Sequence, residues 1–231
     1  AFIRADARRG LEALSAALGG WRSDEGWRVR ATDEAARWRA DLARVTGVRD
    51  VALPCDGEVI GAVQRSAADS PRDDIVVCAA GTLPGELHKL WRTSAPGGYH
   101  VEYGYSCMGY EIAGGMGVKL ADPARDVYVM VGDGSYLMMN SEIATMVQER
   151  LKVTIILLDN HGFASIGSLS ESVGSSGFGT EYRYREGAQG LHGDVLPIDY
   201  AANAASLGAH VIKASTRDEL ASAIGTSREI Q

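Results

Sequence analysis

Apolar positions along this chain change their spacing near residue 50, and the change divides it. Up to about Arg49 they recur at helical intervals. Leu11, Leu14 and Leu18 share one face before Gly19-Gly20 stops the run, and a second helical stretch is expected from about Thr32 to Val45. Little around these helices resembles a strand, so residues 1–49 read as the tail of a preceding domain and a connector. From Val51 helix and strand alternate. Pro54 to Ala68 predicts a helix, Asp74 to Ala79 a buried strand, and Gly81 to Gly85 a loop at that strand's end. Tyr105 to Leu120 predicts a helix of small residues, Val127 to Val131 a strand, the following residues through Arg150 a helix, and Val153 to Leu158 another strand. Residues 162–194 hold eight glycines and few periodic apolar positions, the composition of a long functional loop. The chain then predicts a helix near Tyr200 to Leu207, a strand at His210 to Lys213 and a helix from Thr216 to Ile224. Such alternation gives an α/β fold, a doubly wound and mostly parallel sheet with helices on both faces, over residues 50–231.

Composition narrows the function classes. A net charge of −7 argues against a nucleic-acid footprint and leaves no basic face for a membrane. Cys55, Cys78 and Cys107 are odd in number and widely spaced, which fits reduced thiols in a cytoplasmic protein. No apolar run reaches the ~18 residues of a spanning helix, and no signal peptide is visible. A chain that opens at Ala1 in a helical run is expected to be a piece of a longer polypeptide.

The candidate chemistry lies in one strand-helix-strand unit. The first strand runs into Gly132-Asp133-Gly134-Ser135, and the second ends at Asp159-Asn160, 27 positions after Asp133. In a parallel unit both strands end at the same edge of the sheet, so a carboxylate and an amide oxygen meet there. Gly132 and Gly134 permit a sharp turn and close approach, and the following helix start offers N–H groups to phosphate. One carboxylate, one amide and phosphate oxygens suit Mg²⁺.

Gly132-Asp133-Gly134, then 25 residues, then Asn160 resembles the motif of thiamin-diphosphate-dependent enzymes, with Asp159 where the commoner form has a second Asn. The resemblance implies thiamin diphosphate and Mg²⁺ as cofactors, with Asp133, Asn160 and the Gly162 carbonyl on the metal and Ser135 and Phe163 beside the cofactor. Gly104-Tyr105-Ser106-Cys107-Met108-Gly109 resembles the Gly-x-Gly-x-Met-Gly loop of the acetolactate-synthase branch, with Ser106 in place of a glycine. There the methionine, here Met108, packs between the two cofactor rings and keeps them bent. Gly81, Thr82 and Leu83 occupy the place of a segment that touches the diphosphate. His88 and Trp91 read as structural, while His161 and His192 stay unassigned.

Residues 159–167 and 176–183, with the runs 81–91 and 100–109, resemble family members that hydrolyse a C–C bond of a cyclic dione. These open trihydroxycyclohexane-1,2-dione to 5-deoxy-glucuronate in myo-inositol catabolism. The resemblance implies a homodimer or homotetramer assembled through upstream domains. It places the glutamate that activates the cofactor in a missing N-terminal domain, so this chain alone is expected to bind cofactor without turning substrate over. Two readings stand beside this one: an acetolactate-synthase-like carboligase or 2-oxo-acid decarboxylase, and a phosphate- or nucleotide-binding module without catalysis.

Overall fold

A computed structural model describes residues 4–48, 54–67, 74–93, 95–188 and 190–230, and the expected boundary between residues 49 and 50 lies outside them. The chain divides into two compact units, Ala1–Arg44 and Val45–Gln231. The first holds α1 (Ala7–Ala17) and nearly all of α2 (Glu25–Thr46), neither of which has a buried residue. Asp6 caps α1 by accepting from the Arg9 N–H at 3.1 Å. Pairs three residues apart, Arg28–Glu25, Arg37–Glu34 and Arg44–Asp41, lace α2. That polar lacing carries the helix back to Glu25, seven positions before the start that apolar spacing predicts.

The second unit alternates as expected. Its elements are α3 (Asp56–Ser66), β1 (Ile75–Cys78), α4 (Thr82–Leu90), β2 (Tyr99–Val101), α5 (Tyr110–Ala121), β3 (Val127–Gly132), α6 (Asp133–Met138), α7 (Glu142–Gln148), β4 (Thr154–Leu158), α8 (Ala164–Ser172), α9 (Tyr200–Ser206) and α10 (Arg217–Glu229). Among the described residues four strands form one parallel sheet, in the order β2-β1-β3-β4, with Val77 opposite Val129 and Val131 opposite Leu157. Ile75, Val77, Val127, Val129 and Val131 pack on one face with Ile112 of α5 and with Ile143 and Met146 of α7. Alternate residues Val76, Tyr128 and Met130 are equally buried on the other face, where Arg228 of α10 lies 5.3 Å from the Tyr128 ring centre. Burial on both faces is why these strands read as unbroken apolar runs.

At the amino ends of β1 and β3, Arg228 pairs with Asp74 and, at 3.2 Å, with Asp126, while its Nε donates to Ser66 Oγ at 3.0 Å. One guanidinium thus ties α3, α10 and two strand starts together. On the α5 face, the helix sits so close to β3 that a Cβ at Gly115 would fall 2.2 Å from Val129 Cγ2.

Several expectations need correction. The stretch Thr82 to Gly85 is the first turn of α4, with Gly81 at the N-cap. Proline is tolerated there because a first-turn N–H has no partner within the helix. The helix after β2 begins at Tyr110, leaving residues 102–109 as a loop. The helix after β3 breaks between Met138 and Glu142, so α6 is only six residues long. Within residues 162–194 lies α8, whose serines and glycine hid its period. Residues 210–213 form no strand; their short alternation finds no neighbour to pair with. The three-residue β2 was too short to show as a pattern.

Candidate functional site

Every segment singled out by motif leaves the carboxyl end of a strand: Ala79 to Thr82 after β1, residues 102–109 after β2, Gly132 to Ser135 after β3, and residues 159–163 after β4. Between β1 and β3 the chain turns to opposite sides, toward β2 and toward β4. A crevice opens at such a switch point in open parallel sheets, and ligands bind there.

Asp133 is fully buried at this edge. Its Oδ1 accepts from the Gly134 N–H at 2.9 Å, and its Oδ2 accepts from the Gly162 N–H at 2.8 Å and from the Tyr200 hydroxyl at 3.3 Å. The Asn160 carboxamide reaches both the Gly162 carbonyl (3.1 Å) and Asp133 Oδ1 (3.2 Å). With its nitrogen inward it donates to both. With its oxygen inward three oxygens converge, the donor set that a hard divalent cation takes. Burial pushes the Asp133 carboxyl up and the nearby Asp159 carboxylate adds to this, against the Gly134 and Gly162 amides. A bound cation would relieve that accumulation of negative charge. Among the described residues no three His, Cys, Asp or Glu side chains cluster, so a metal here depends on amide and carbonyl oxygens.

The second half of this corner is held by backbone. Gly162 has φ +148°, and a Cβ there would fall 2.3 Å from the Thr180 carbonyl, so only glycine fits. Around it the Phe163 N–H donates to Thr180 O at 2.7 Å and the Tyr182 N–H to His161 O at 2.8 Å. The Phe163 ring lies against Gly134, where a Cβ would meet its Cε1 at 2.7 Å. The close approach permitted at Gly134 is therefore used by Phe163. His161 is exposed with its Nδ1 3.1 Å from Asp159. A polar cavity of about 260 Å³ opens beside Asn160, lined among others by Ser168, Glu171, Thr180, Glu181 and His192.

Opposite stands the loop with Met108. Glu102 accepts from the Tyr105 and Cys107 N–H groups, which hold its carboxyl below the usual range. Ser106 takes a left-handed φ of 55°. Met108 is half-buried, Tyr105 is 91% exposed, and Gly109 turns the chain into α5. Within the first turn of α4, Thr82 is exposed whereas Leu83 is buried. Ser135 is buried, with its hydroxyl 2.7 Å from the Gly109 N–H and bonded to Glu111. His88 packs its ring on Tyr99 and Tyr103, and Trp91 Nε1 donates to Gly98 O at 3.2 Å.

Sequence reasoning passed over two residues here. Glu111 is the one acid in a helix whose other residues, Tyr110 and Lys119 apart, are small or apolar, which is a usable signal. Tyr200 carries none, since its contact with Asp133 depends on how α9 docks 67 positions away.

Residues 79–230 match the profile of a family described as "Thiamine pyrophosphate enzyme, C-terminal TPP binding domain". A Bacillus cereus 3D-(3,5/4)-trihydroxycyclohexane-1,2-dione hydrolase 2 is 47% identical over 158 residues, covering 68% of this chain and 24% of that protein. The 3D-(3,5/4)-trihydroxycyclohexane-1,2-dione hydrolase of Geobacillus thermodenitrificans is 41% identical over 251 aligned positions, covering 98% and 38%. This chain therefore spans well under half the length of these relatives. Among solved structures, a thiamine diphosphate-dependent 4-hydroxybenzoylformate decarboxylase from Rhodococcus jostii shares the fold with a TM-score of 0.66 at 20% identity, covering 80% of this chain and 32% of that one.

Proposed function

The chain belongs to the thiamine pyrophosphate enzymes, as a bearer of their C-terminal cofactor-binding domain, and on that footing we propose that it serves a C–C bond hydrolase acting on a cyclic 1,2-dione. In this reading the substrate is trihydroxycyclohexane-1,2-dione, opened to 5-deoxy-glucuronate in the cytoplasm during myo-inositol catabolism by a homo-oligomeric enzyme. The observation that carries it is the 41% identity, over 98% of this chain, to a relative bearing that activity in its name.

The residues fit the cofactor. Asp133, Asn160 and the Gly162 carbonyl would hold Mg²⁺, with Asp133 supplying the charge and the other two supplying oxygen at a fixed corner. Gly81, Thr82, Gly132, Gly134 and Ser135 would border the diphosphate. Met108 would support the rings, on a loop fixed by Glu102, with Ser106 and Phe163 shaping the walls. Bound thiamin diphosphate supplies the acyl-anion equivalent that no side chain can stabilise. The chain's own groups bind, orient and neutralise charge.

Calorimetry of this chain with thiamin diphosphate, with and without Mg²⁺, tests the cofactor reading; saturable binding to NAD instead would overturn it. Turnover by the whole enzyme tests the substrate. Release of an open-chain acid from the dione is expected, and turnover of pyruvate in its place would move the enzyme to the carboligases or decarboxylases.

A further inference from the structure

Glu111 has no part in holding the metal corner, yet it is 1% exposed and lies under the switch point. Its Oε2 accepts from the Gly109 N–H at 2.9 Å, and the Ser135 hydroxyl lies 2.8 Å from Oε1 and 2.7 Å from Oε2. These donors come from two separate segments, the Met108 loop after β2 and the turn after β3. A buried carboxylate is costly unless its acceptor sites are filled. Here they are filled by the segments that would surround the cofactor. Asp133 and Ser135 flank Gly134 on one turn, so that turn is held at both ends: Asp133 by Gly162 and Tyr200, Ser135 by Glu111.

We propose that Glu111 is a positioning residue that locks the Met108 loop to the diphosphate turn and so sets the spacing over which thiamin diphosphate is bound. The Gly109 N–H donates to Glu111 and also points at Ser135 Oγ, so the backbone next to Met108 is tied directly to the turn. An apolar side chain at this position would fill space equally well but would leave the Gly109 amide and the Ser135 hydroxyl without this shared acceptor.

The inference rests on the cofactor reading above, and the test separates the two. Glu111→Gln and Glu111→Ala are prepared in the full chain, with Asp133→Ala as control. Each is titrated with thiamin diphosphate plus Mg²⁺ and with inorganic pyrophosphate plus Mg²⁺, and apo melting temperatures are recorded. Pyrophosphate would reach the turn and the Gly81-Thr82 segment but not the Met108 loop, whereas thiamin diphosphate would span turn and loop. Glu111→Gln keeps one acceptor and nearly the same volume, so it should fold. It should weaken thiamin diphosphate about tenfold and pyrophosphate less than about twofold. Glu111→Ala should widen that gap, with Gln recovering part of the loss. Equal weakening of both probes, explained by a lower melting temperature, would reduce Glu111 to a fold residue and overturn the inference. Unchanged affinity for both, with Asp133→Ala defective, would do the same while leaving the cofactor reading intact. Failure of the parent chain to bind either probe would defeat the cofactor reading, and this inference with it.

Discussion

Asp133 is the one charged member of the proposed metal corner, and its replacement leaves Asn160 and the Gly162 carbonyl without the negative charge that attracts a cation. Asp133→Ala should weaken Mg²⁺-dependent thiamin diphosphate binding by roughly 2–4 kcal/mol, read as a loss of about two orders of magnitude in calorimetry. Parent-like affinity would remove Asp133 from the site. Cysteine chemistry gives an independent check. Burial pushes the Cys78 thiol up to about 11 while Cys55 and Cys107 are exposed, so these two should react in the native chain and Cys78 only on unfolding. Cys107 should be the slower of the two, because desolvation and the neighbouring Glu102 raise its thiol. Rapid reaction of all three would mean that β1 is not buried. The two glutamates around Met108 respond to pH in opposite senses from an ordinary value of 4.5. Glu102 is depressed by the Cys107 and Tyr105 amides, so its contribution is present above the ordinary range and is lost as pH falls through the depressed value. Glu111 is raised by burial, so its contribution is present below the ordinary range and is lost as pH rises through the raised value. Hydrogen exchange should show the Tyr105 and Cys107 amides losing protection on acidification, and Glu102→Gln should abolish that pH dependence. Asp133 and Asn160 were legible because two parallel strands must end at one edge. Glu111 was half legible, as a charge among apolar neighbours. Tyr200 was not, because nothing local dictates where α9 docks.

Among the elements, those whose burial writes itself into a simple pattern were the readable ones. The segments β1 and β3 are covered on both faces and are apolar throughout. By contrast α4 opens with Gly81-Thr82-Leu83-Pro84, residues that also make turns, and only the structure shows that its proline sits where the missing N–H does no harm. In α8 the polar serines leave little apolar face to read, and α6 and α7 share one stretch that an unbroken pattern could not divide. The seat of α5 on β3 is a matter of ångströms. Gly115→Val should overpack against Val129 and destabilise the chain by about 2 kcal/mol, measured by denaturant unfolding, whereas Gly117→Ala, where a Cβ meets nothing within 4 Å, should not destabilise it. Equal effects at both positions would mean that α5 is not packed as described.

Across the second unit, the two edges of the sheet carry different duties. At the amino edge Arg228 joins Asp74 and Asp126, the first of them almost wholly buried. Arg228→Ala should cost about 3 kcal/mol of stability, because the buried Asp74 carboxylate loses its cation. Thiamin diphosphate affinity of the folded protein should stay within about twofold of the parent's. Loss of affinity without loss of stability would show that the edges are coupled. If they are separate, the guanidinium acts as a foundation laid at the far end of the strands from the workshop. Loops at the workshop end can then be lengthened, shortened or exchanged without the chain having to solve its folding problem again. A lineage built on this plan could try new substrates at one rim while inheriting its architecture from the other.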